Sequence, residues 1–99
     1  MRVGVVFFTG GDWLHCGFTD GRHLIDSYPG RGVTMRPLPA DHGAVYWLGY
    51  SEGQAAWRNA VSRIGDRFEI CASFVCQCMG QRCILPSGLE SRLRLASRQ

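Results

Sequence analysis

The chain has 99 residues, a length typical of a single domain, and its 45% hydrophobic and 19% charged residues are those of a globular protein. The net charge is +3, and residues 87–99 contribute +2 of it through three arginines and one glutamate. The remainder is close to neutral, which makes nucleic acid an unfavourable partner. The longest apolar run is too short to cross a bilayer and lacks the features of a secretory signal. We therefore expect a cytoplasmic protein with no membrane span.

Five stretches have the composition of β-strands. They are rich in Val, Phe, Tyr or Trp or lie between turn residues, and they occupy residues 3–8, 14–19, 22–27, 33–38 and 44–50. The second and third stretches flank Asp20-Gly21, a dipeptide that favours a two-residue type I′ hairpin turn. The sequence therefore predicts an antiparallel hairpin at this point.

Two helices follow the strands. Ser51 and Gln54 match the N-cap and N3 positions of a capping box, and Gly65 fits the C′ position of the same helix. A second helix is expected to begin near Cys71 and to end before Gly80, because its apolar residues recur at i, i+3, i+4, i+7 and i+8. A short last strand is expected at residues 83–85.

This order of elements predicts an α+β fold in which a small antiparallel sheet packs against two helices. We assign residues 1–86 to one domain and residues 87–99 to an Arg-rich C-terminal tail. The tail is predicted to be a solvated end, or a last strand or helix turn through Leu89, Leu93 and Leu95.

The five cysteines indicate reduced thiols rather than a disulfide framework, because their number is odd and no export signal is present. Their last four members have the spacing C-x4-C-x-C-x4-C, which lacks the C-x2-C pair typical of zinc ribbons. A structural zinc module therefore remains only a minor alternative.

The predicted hairpin suggests a catalytic pair. With a two-residue loop, Thr19 pairs with Arg22, and the register then places His15 directly opposite Asp26. Facing residues have Cβ atoms about 4.5–5.5 Å apart, so the carboxylate could fix the imidazole tautomer and stabilise imidazolium.

Cys71 lies at the expected start of the second helix, where free N–H groups and the helix dipole favour a thiolate. No Ser, Thr, Asp or Asn directly precedes it, so these N–H groups are available to a thiolate or an oxyanion. A thiolate beside a carboxylate-oriented histidine is the minimum equipment for nucleophilic acyl transfer.

Several short motifs, in this order, resemble those of circularly permuted papain-like proteins of the NlpC-type and lecithin retinol acyltransferase-like group. They are residues 15–21 (HCGFTDG), 24–26 (LID), 29–33 (PGRGV), 64–68 (IGDRF) and 71–75 (CASFV). The resemblance implies a permuted papain-like core with Cys71 as nucleophile, His15 as base and Asp26 as third residue. Cys16 departs from the pattern, since a small aliphatic residue is usual there.

The resemblance further implies a thiol hydrolase or acyltransferase that acts on an amide of a peptide or cell-wall fragment, or on an acyl ester. It requires neither a metal nor a cofactor. The main alternative is a non-catalytic binding or assembly module on the same fold, in which Cys71 is one more core thiol. His42, in the loop at residues 39–43, is the second candidate for the base.

Overall fold

The computed structural model describes residues 1–10, 13–68, 70–81 and 86–96. It has an α+β fold with one five-stranded antiparallel sheet and three helices. The strands are β1 (Gly4–Gly10), β2 (Trp13–Thr19), β3 (His23–Tyr28), β4 (Gly32–Pro37) and β5 (Val45–Trp47), and the helices are α1 (Tyr50–Ser62), α2 (Cys71–Cys78) and α3 (Pro86–Ala96). The predicted α+β class and antiparallel sheet are therefore confirmed.

The strands lie in the order β4-β3-β2-β1-β5, with every pair antiparallel. Strand β1 lies between β2 and β5, and Val5, Val6 and Phe7 are buried although their side chains alternate between the faces of the sheet. This explains why β1 is a continuous apolar run rather than an alternating one. The fifth strand ends at Trp47, earlier than predicted, because Tyr50 already begins α1.

The predicted two-residue turn between β2 and β3 is wrong. Thr19 pairs with Leu24 rather than with Arg22, so residues 20–23 form a four-residue loop at this end of the β2–β3 ladder. The Asp20 carboxylate accepts hydrogen bonds from the backbone N–H groups of Arg22 and His23, at 2.9 and 2.7 Å. A type I′ turn needs positive φ at both central residues, and no non-glycine residue in the described ranges has positive φ. The Asp20 side chain therefore stabilises a different turn.

The predicted capping box of α1 is also wrong. The helix begins at Tyr50 after the N-cap Gly49, and no side chain caps it. Gln54 instead donates a hydrogen bond to the backbone carbonyl of Met1, at 2.6 Å. At the other end, α1 finishes at Ser62, and Gly65 lies beyond the cap with φ of 98°.

Helix α2 begins at Cys71, as predicted, and packs against β2 and β3. Helix α3 packs against α2 and β2, and its Leu89 and Leu93 are buried, whereas Leu95 is exposed. The segment after Pro86 therefore contributes a helix to the core, which is one of the predicted forms of the tail. The strand predicted at residues 83–85 lies outside the described residues. No helix within the described ranges is long and apolar enough to cross a membrane.

The expectation of reduced thiols is wrong for Cys76. Cys76 is disulfide-bonded, whereas Cys16, Cys71 and Cys78 are free thiols. Of these three, Cys16 and Cys78 are buried in the core and Cys71 is partly exposed. The free thiols are therefore in different environments, although composition alone makes them equivalent.

Candidate active site

His15 and Asp26 are brought together by the β2–β3 hairpin, although not as directly facing residues. Gly17 faces Asp26, and the imidazole Nε2 of His15 reaches the carboxylate Oδ2 diagonally at 2.8 Å. The register differs from the predicted one by two residues, and an even shift keeps every side chain on its own face. For this reason the predicted pair survives the error in the turn.

Gly17 makes the diagonal contact possible. A Cβ atom at this position would lie 2.7 Å from the backbone oxygen of Ile25 and 2.8 Å from the Cβ of Asp26. Any larger residue would therefore push Asp26 aside or separate the strands. The glycine leaves the space through which the Asp26 carboxylate extends towards His15.

Two aromatic rings flank the imidazole of His15. Tyr28 stacks on it with ring centroids 4.2 Å apart and an angle of 13° between the planes, and Phe8 lies 6.0 Å away in a tilted arrangement. His15 is only 4% exposed. The ring is thus held between side chains, and its rotation about χ2 is restricted.

Arg36 is a second cationic partner of Asp26. Its guanidinium donates a hydrogen bond to the same Oδ2, at 2.9 Å, and lies 3.4 Å from the Tyr28 hydroxyl. Burial opposes ionisation of Asp26, but the hydrogen bonds from His15 and Arg36 outweigh it and hold the pKa of Asp26 below its ordinary value. The fully buried carboxylate is therefore ionised and paired.

Cys71 is the first residue of α2. The N-cap residue Ile70 provides no side-chain cap, and its carbonyl accepts hydrogen bonds from the N–H groups of Ser73 and Phe74. No acidic residue lies in the first turn. The start of the helix therefore presents its positive end to the sulfur of Cys71, as the sequence predicts.

Cys71 meets residues from both faces of β2. Its sulfur lies 3.7 Å from that of Cys16, and hydrogen bonds from the thiol and backbone of Cys16 and from His15 act on it. The Cys16 thiol contributes most to lowering the pKa of Cys71, burial opposes the change, and His15 adds to it, so that the pKa falls to about 4. Cys71 is therefore a thiolate at neutral pH.

His15 carries the matching positive charge. Burial disfavours its protonation, but hydrogen bonds with Asp26 and Cys71 outweigh burial and raise its pKa to about 9. Between about pH 4 and pH 9 the pair is therefore a thiolate and an imidazolium. Because Nε2 faces Asp26, the other ring nitrogen, Nδ1, is the one available to the sulfur.

A cavity of about 410 Å³ opens beside this pair. Its lining combines the two reactive side chains with a mainly apolar wall and consists of Leu14, His15, Ser27, Tyr28, Pro29, Ile70, Cys71 and Pro86. Ser27 is fully buried, and its hydroxyl has no hydrogen-bond partner within the described part of the chain. The cavity therefore offers an apolar surface beside the Cys71 thiolate.

The other candidates from the sequence lie elsewhere. His42 is half-buried, its Nδ1 lies 2.8 Å from the carbonyl oxygen of Gly43, and it does not line the cavity of Cys71. Over residues 1–10, 13–68, 70–81 and 86–96, no three His, Cys, Asp or Glu side chains form a cluster that could hold a metal ion.

Sequence reasoning missed Arg36, Tyr28 and the role of Cys16. Arg36 and Tyr28 lie on β4 and β3, and only the observed register between strands brings them to Asp26 and His15. The sequence pattern marks Cys16 only as a departure from the small aliphatic residue that is usual there. Its place directly after the candidate base was the one available signal, and alternation along a strand argued against it.

Comparison of the chain with protein-family models, curated proteins and solved structures finds no match. The functional interpretation of the site therefore depends on its geometry and chemistry.

Proposed function

We propose that the chain is a thiol-dependent hydrolase or acyltransferase with a permuted papain-like core, in which Cys71 is the nucleophile, His15 the general acid and base, and Asp26 the residue that orients His15. The observation that supports this most strongly is the Cys71 thiolate hydrogen-bonded to an imidazole whose Nε2 lies 2.8 Å from a buried carboxylate. These are the three roles of a catalytic triad, which is defined by geometry rather than by chain order.

The reaction begins with attack of the Cys71 thiolate on the carbonyl carbon of an amide or ester. The positive end of α2 stabilises the oxyanion that forms. His15 then donates its proton to the leaving amine or alkoxide, and an acyl thioester remains on Cys71. Next, His15 takes a proton from water, the resulting hydroxide attacks the thioester, and the acid and the thiolate are released. An amine or alcohol in place of water gives acyl transfer.

The cavity favours a substrate with an apolar group next to the reacting carbonyl. Leu14, Ile70 and two prolines supply the apolar wall of the cavity. An amide in a peptide or cell-wall fragment is the first candidate and an acyl ester the second. The order of the His-bearing hairpin and the Cys-bearing helix, which is that of the permuted papain-like group, agrees with either.

Acylation by p-nitrophenyl acetate tests the proposal. We expect a burst of one equivalent of p-nitrophenolate and an acetyl group on Cys71, located by mass spectrometry. Cys71→Ala should abolish both, and His15→Gln should slow acylation by about 10²–10⁴-fold. Cys78→Ala is the matched control, because Cys78 is a buried free thiol on the same helix and does not line the cavity.

A non-catalytic module predicts a different result. Cys71 would then be acetylated no faster than other accessible thiols, and His15→Gln would leave the rate unchanged. That outcome, with circular dichroism showing that the variants are folded, would refute the hydrolase proposal.

A further inference from the structure

Two free thiols face each other beside the candidate active site. The sulfur atoms of Cys16 and Cys71 are 3.7 Å apart. Cys16 belongs to β2 and is fully buried, whereas Cys71 begins α2, is partly exposed and lines the cavity. A small oxidant that enters the cavity therefore meets Cys71 first, and the intermediate formed there has Cys16 as its neighbour.

The two thiols also differ in reactivity. The hydrogen bond with Cys71 and burial both raise the pKa of Cys16 above its ordinary range, whereas the pKa of Cys71 is lowered to about 4. The thiolate is the form that attacks an electrophilic oxygen or sulfur, so Cys71 reacts and Cys16 stays protonated. An exposed reactive thiol beside a second thiol that can resolve its oxidised form is typical of redox-active cysteine pairs.

We infer that Cys71 and Cys16 form a reversible oxidation site, in which a hydroperoxide converts the pair into an intramolecular disulfide. The Cys71 thiolate attacks the terminal oxygen of the hydroperoxide, the O–O bond breaks, and Cys71 becomes a sulfenic acid while an alkoxide or hydroxide leaves. The Cys16 sulfur then attacks the Cys71 sulfur, and the sulfenic hydroxyl leaves as water with the Cys16 proton. The pair is oxidised by two electrons and the hydroperoxide is reduced by two.

The geometry requires only a small movement. A disulfide needs the sulfur atoms to be about 2.0 Å apart, so the 3.7 Å separation must shorten by about 1.7 Å. Cys16 is held in β2 by its pairing with Phe7 of β1, whereas Cys71 is at the end of a helix. Rotation of the Cys71 side chain together with a small shift of the first turn of α2 can therefore bring the atoms together.

The disulfide removes the nucleophile from the cavity, and a dithiol reverses this. One thiolate of the dithiol attacks the partly exposed Cys71 sulfur and releases Cys16, which is protonated. The second thiolate then attacks the mixed disulfide, releases the Cys71 thiolate and leaves the reductant as a disulfide. Oxidation thus protects Cys71 from irreversible conversion to sulfinic acid.

The test treats the full-length wild-type protein with hydrogen peroxide and maps its thiols by non-reducing digestion and mass spectrometry. We expect a peptide pair that joins Cys16 to Cys71, the loss of these two free thiols, and recovery of both with dithiothreitol. Sulfinic acid on Cys71 without the linked pair, or a link from Cys71 to a different cysteine, would overturn the inference.

Cys16→Ser is the informative variant, because its hydroxyl can still donate a hydrogen bond to Cys71 but cannot form a disulfide. With peroxide and dimedone it should give a dimedone adduct on Cys71, and with peroxide alone it should give sulfinic acid there; neither product is reversed by dithiothreitol. Cys78→Ala is the control and should form the wild-type link. The mass readout needs no turnover, so a protein that forms the disulfide but is not acylated refutes only the proposed hydrolase. One that is acylated without forming the link refutes only this inference.

Discussion

The pH dependence of Cys71 alkylation is the most direct measure of the ion pair. With a pKa of about 4, Cys71 is about 90% thiolate at pH 5, whereas a thiol with the ordinary pKa of 9.0 is ionised to about one part in 10⁴. The rate of reaction with iodoacetamide should therefore be nearly constant above pH 5. An ordinary thiol becomes about tenfold faster with each pH unit up to its own pKa.

The expected selectivity follows from two opposing effects. Intrinsic nucleophilicity falls as the pKa falls, with a Brønsted slope of about 0.4–0.5, so a decrease of five pKa units makes the thiolate roughly 100- to 300-fold less reactive. At pH 5 the gain in thiolate exceeds this loss, and Cys71 should react roughly 30- to 90-fold faster than an ordinary thiol such as N-acetylcysteine. At pH 7 the two effects nearly cancel. Selective labelling is therefore expected only in mildly acidic solution.

The assay measures labelling of Cys71 from pH 4.5 to 8.5 in the wild type, in His15→Gln and in His23→Gln. His15→Gln removes the imidazolium, so labelling should become steeper with pH. His23→Gln is the matched control, since this exposed histidine contacts Asp20 in the hairpin loop, and its profile should be that of the wild type. A wild-type rate that rises tenfold per pH unit up to pH 8 would refute the ion pair, whatever the absolute rate.

Three further predictions concern the residues around this pair. Between about pH 4 and 6.5 the unfolded chain carries a proton on His15 and another on Cys71, whereas the folded pair carries only one. The free energy of unfolding should therefore rise with pH by about 3 kcal/mol over this range and then level off. Urea denaturation of the wild type and of Cys71→Ser at each pH measures this. The sign follows because the lowered pKa of Cys71 gives stability that is lost as pH falls through about 4, while the raised pKa of His15 gives stability that is lost as pH rises through about 9. Gly17→Ala should lower the free energy of unfolding by about 1–3 kcal/mol, because the added Cβ would contact Ile25 and Asp26 too closely. It should also make the labelling of Cys71 depend more steeply on pH. An unchanged pH dependence would contradict the role given to Gly17. Arg36→Met should lower the free energy of unfolding by about 1–3 kcal/mol near neutral pH, because Asp26 loses a charged hydrogen-bond donor, and an effect no larger than that of Arg22→Met on the exposed loop would contradict it.

The sheet and the His15–Asp26 pair were predictable because they depend on short-range patterns. Two strands joined by a short turn must be antiparallel neighbours, so His15 and Asp26 had to lie on adjacent strands of one hairpin. The error in the turn moved the register by two residues, and the period of a strand made this harmless. A one-residue error would have placed Asp26 on the opposite face from His15 and destroyed the pair.

The remaining parts of the site depend on contacts that no local pattern specifies. Arg36 reaches Asp26 because β4 pairs with β3 in a particular register after a turn at residues 29–31. The capping box failed because Gln54 found a tertiary partner, the Met1 carbonyl, rather than the start of its own helix. In both cases the deciding contact is a hydrogen bond to a residue in another element, and no local sequence pattern specifies it.

The contact of Cys71 with two successive residues of β2 follows from where the β2–β3 ladder ends. His15 and Cys16 project from opposite faces of the strand, so a sulfur above one face of a continuous sheet could not meet both. The ladder stops at the pair Gly17 and Asp26, although the same register would next pair Cys16 with Ser27. A Cys16 backbone group that would otherwise join this ladder hydrogen-bonds the Cys71 sulfur instead. The β2–β3 ladder thus ends where the His15 imidazole from one face and the Cys16 thiol from the other can both reach the Cys71 sulfur.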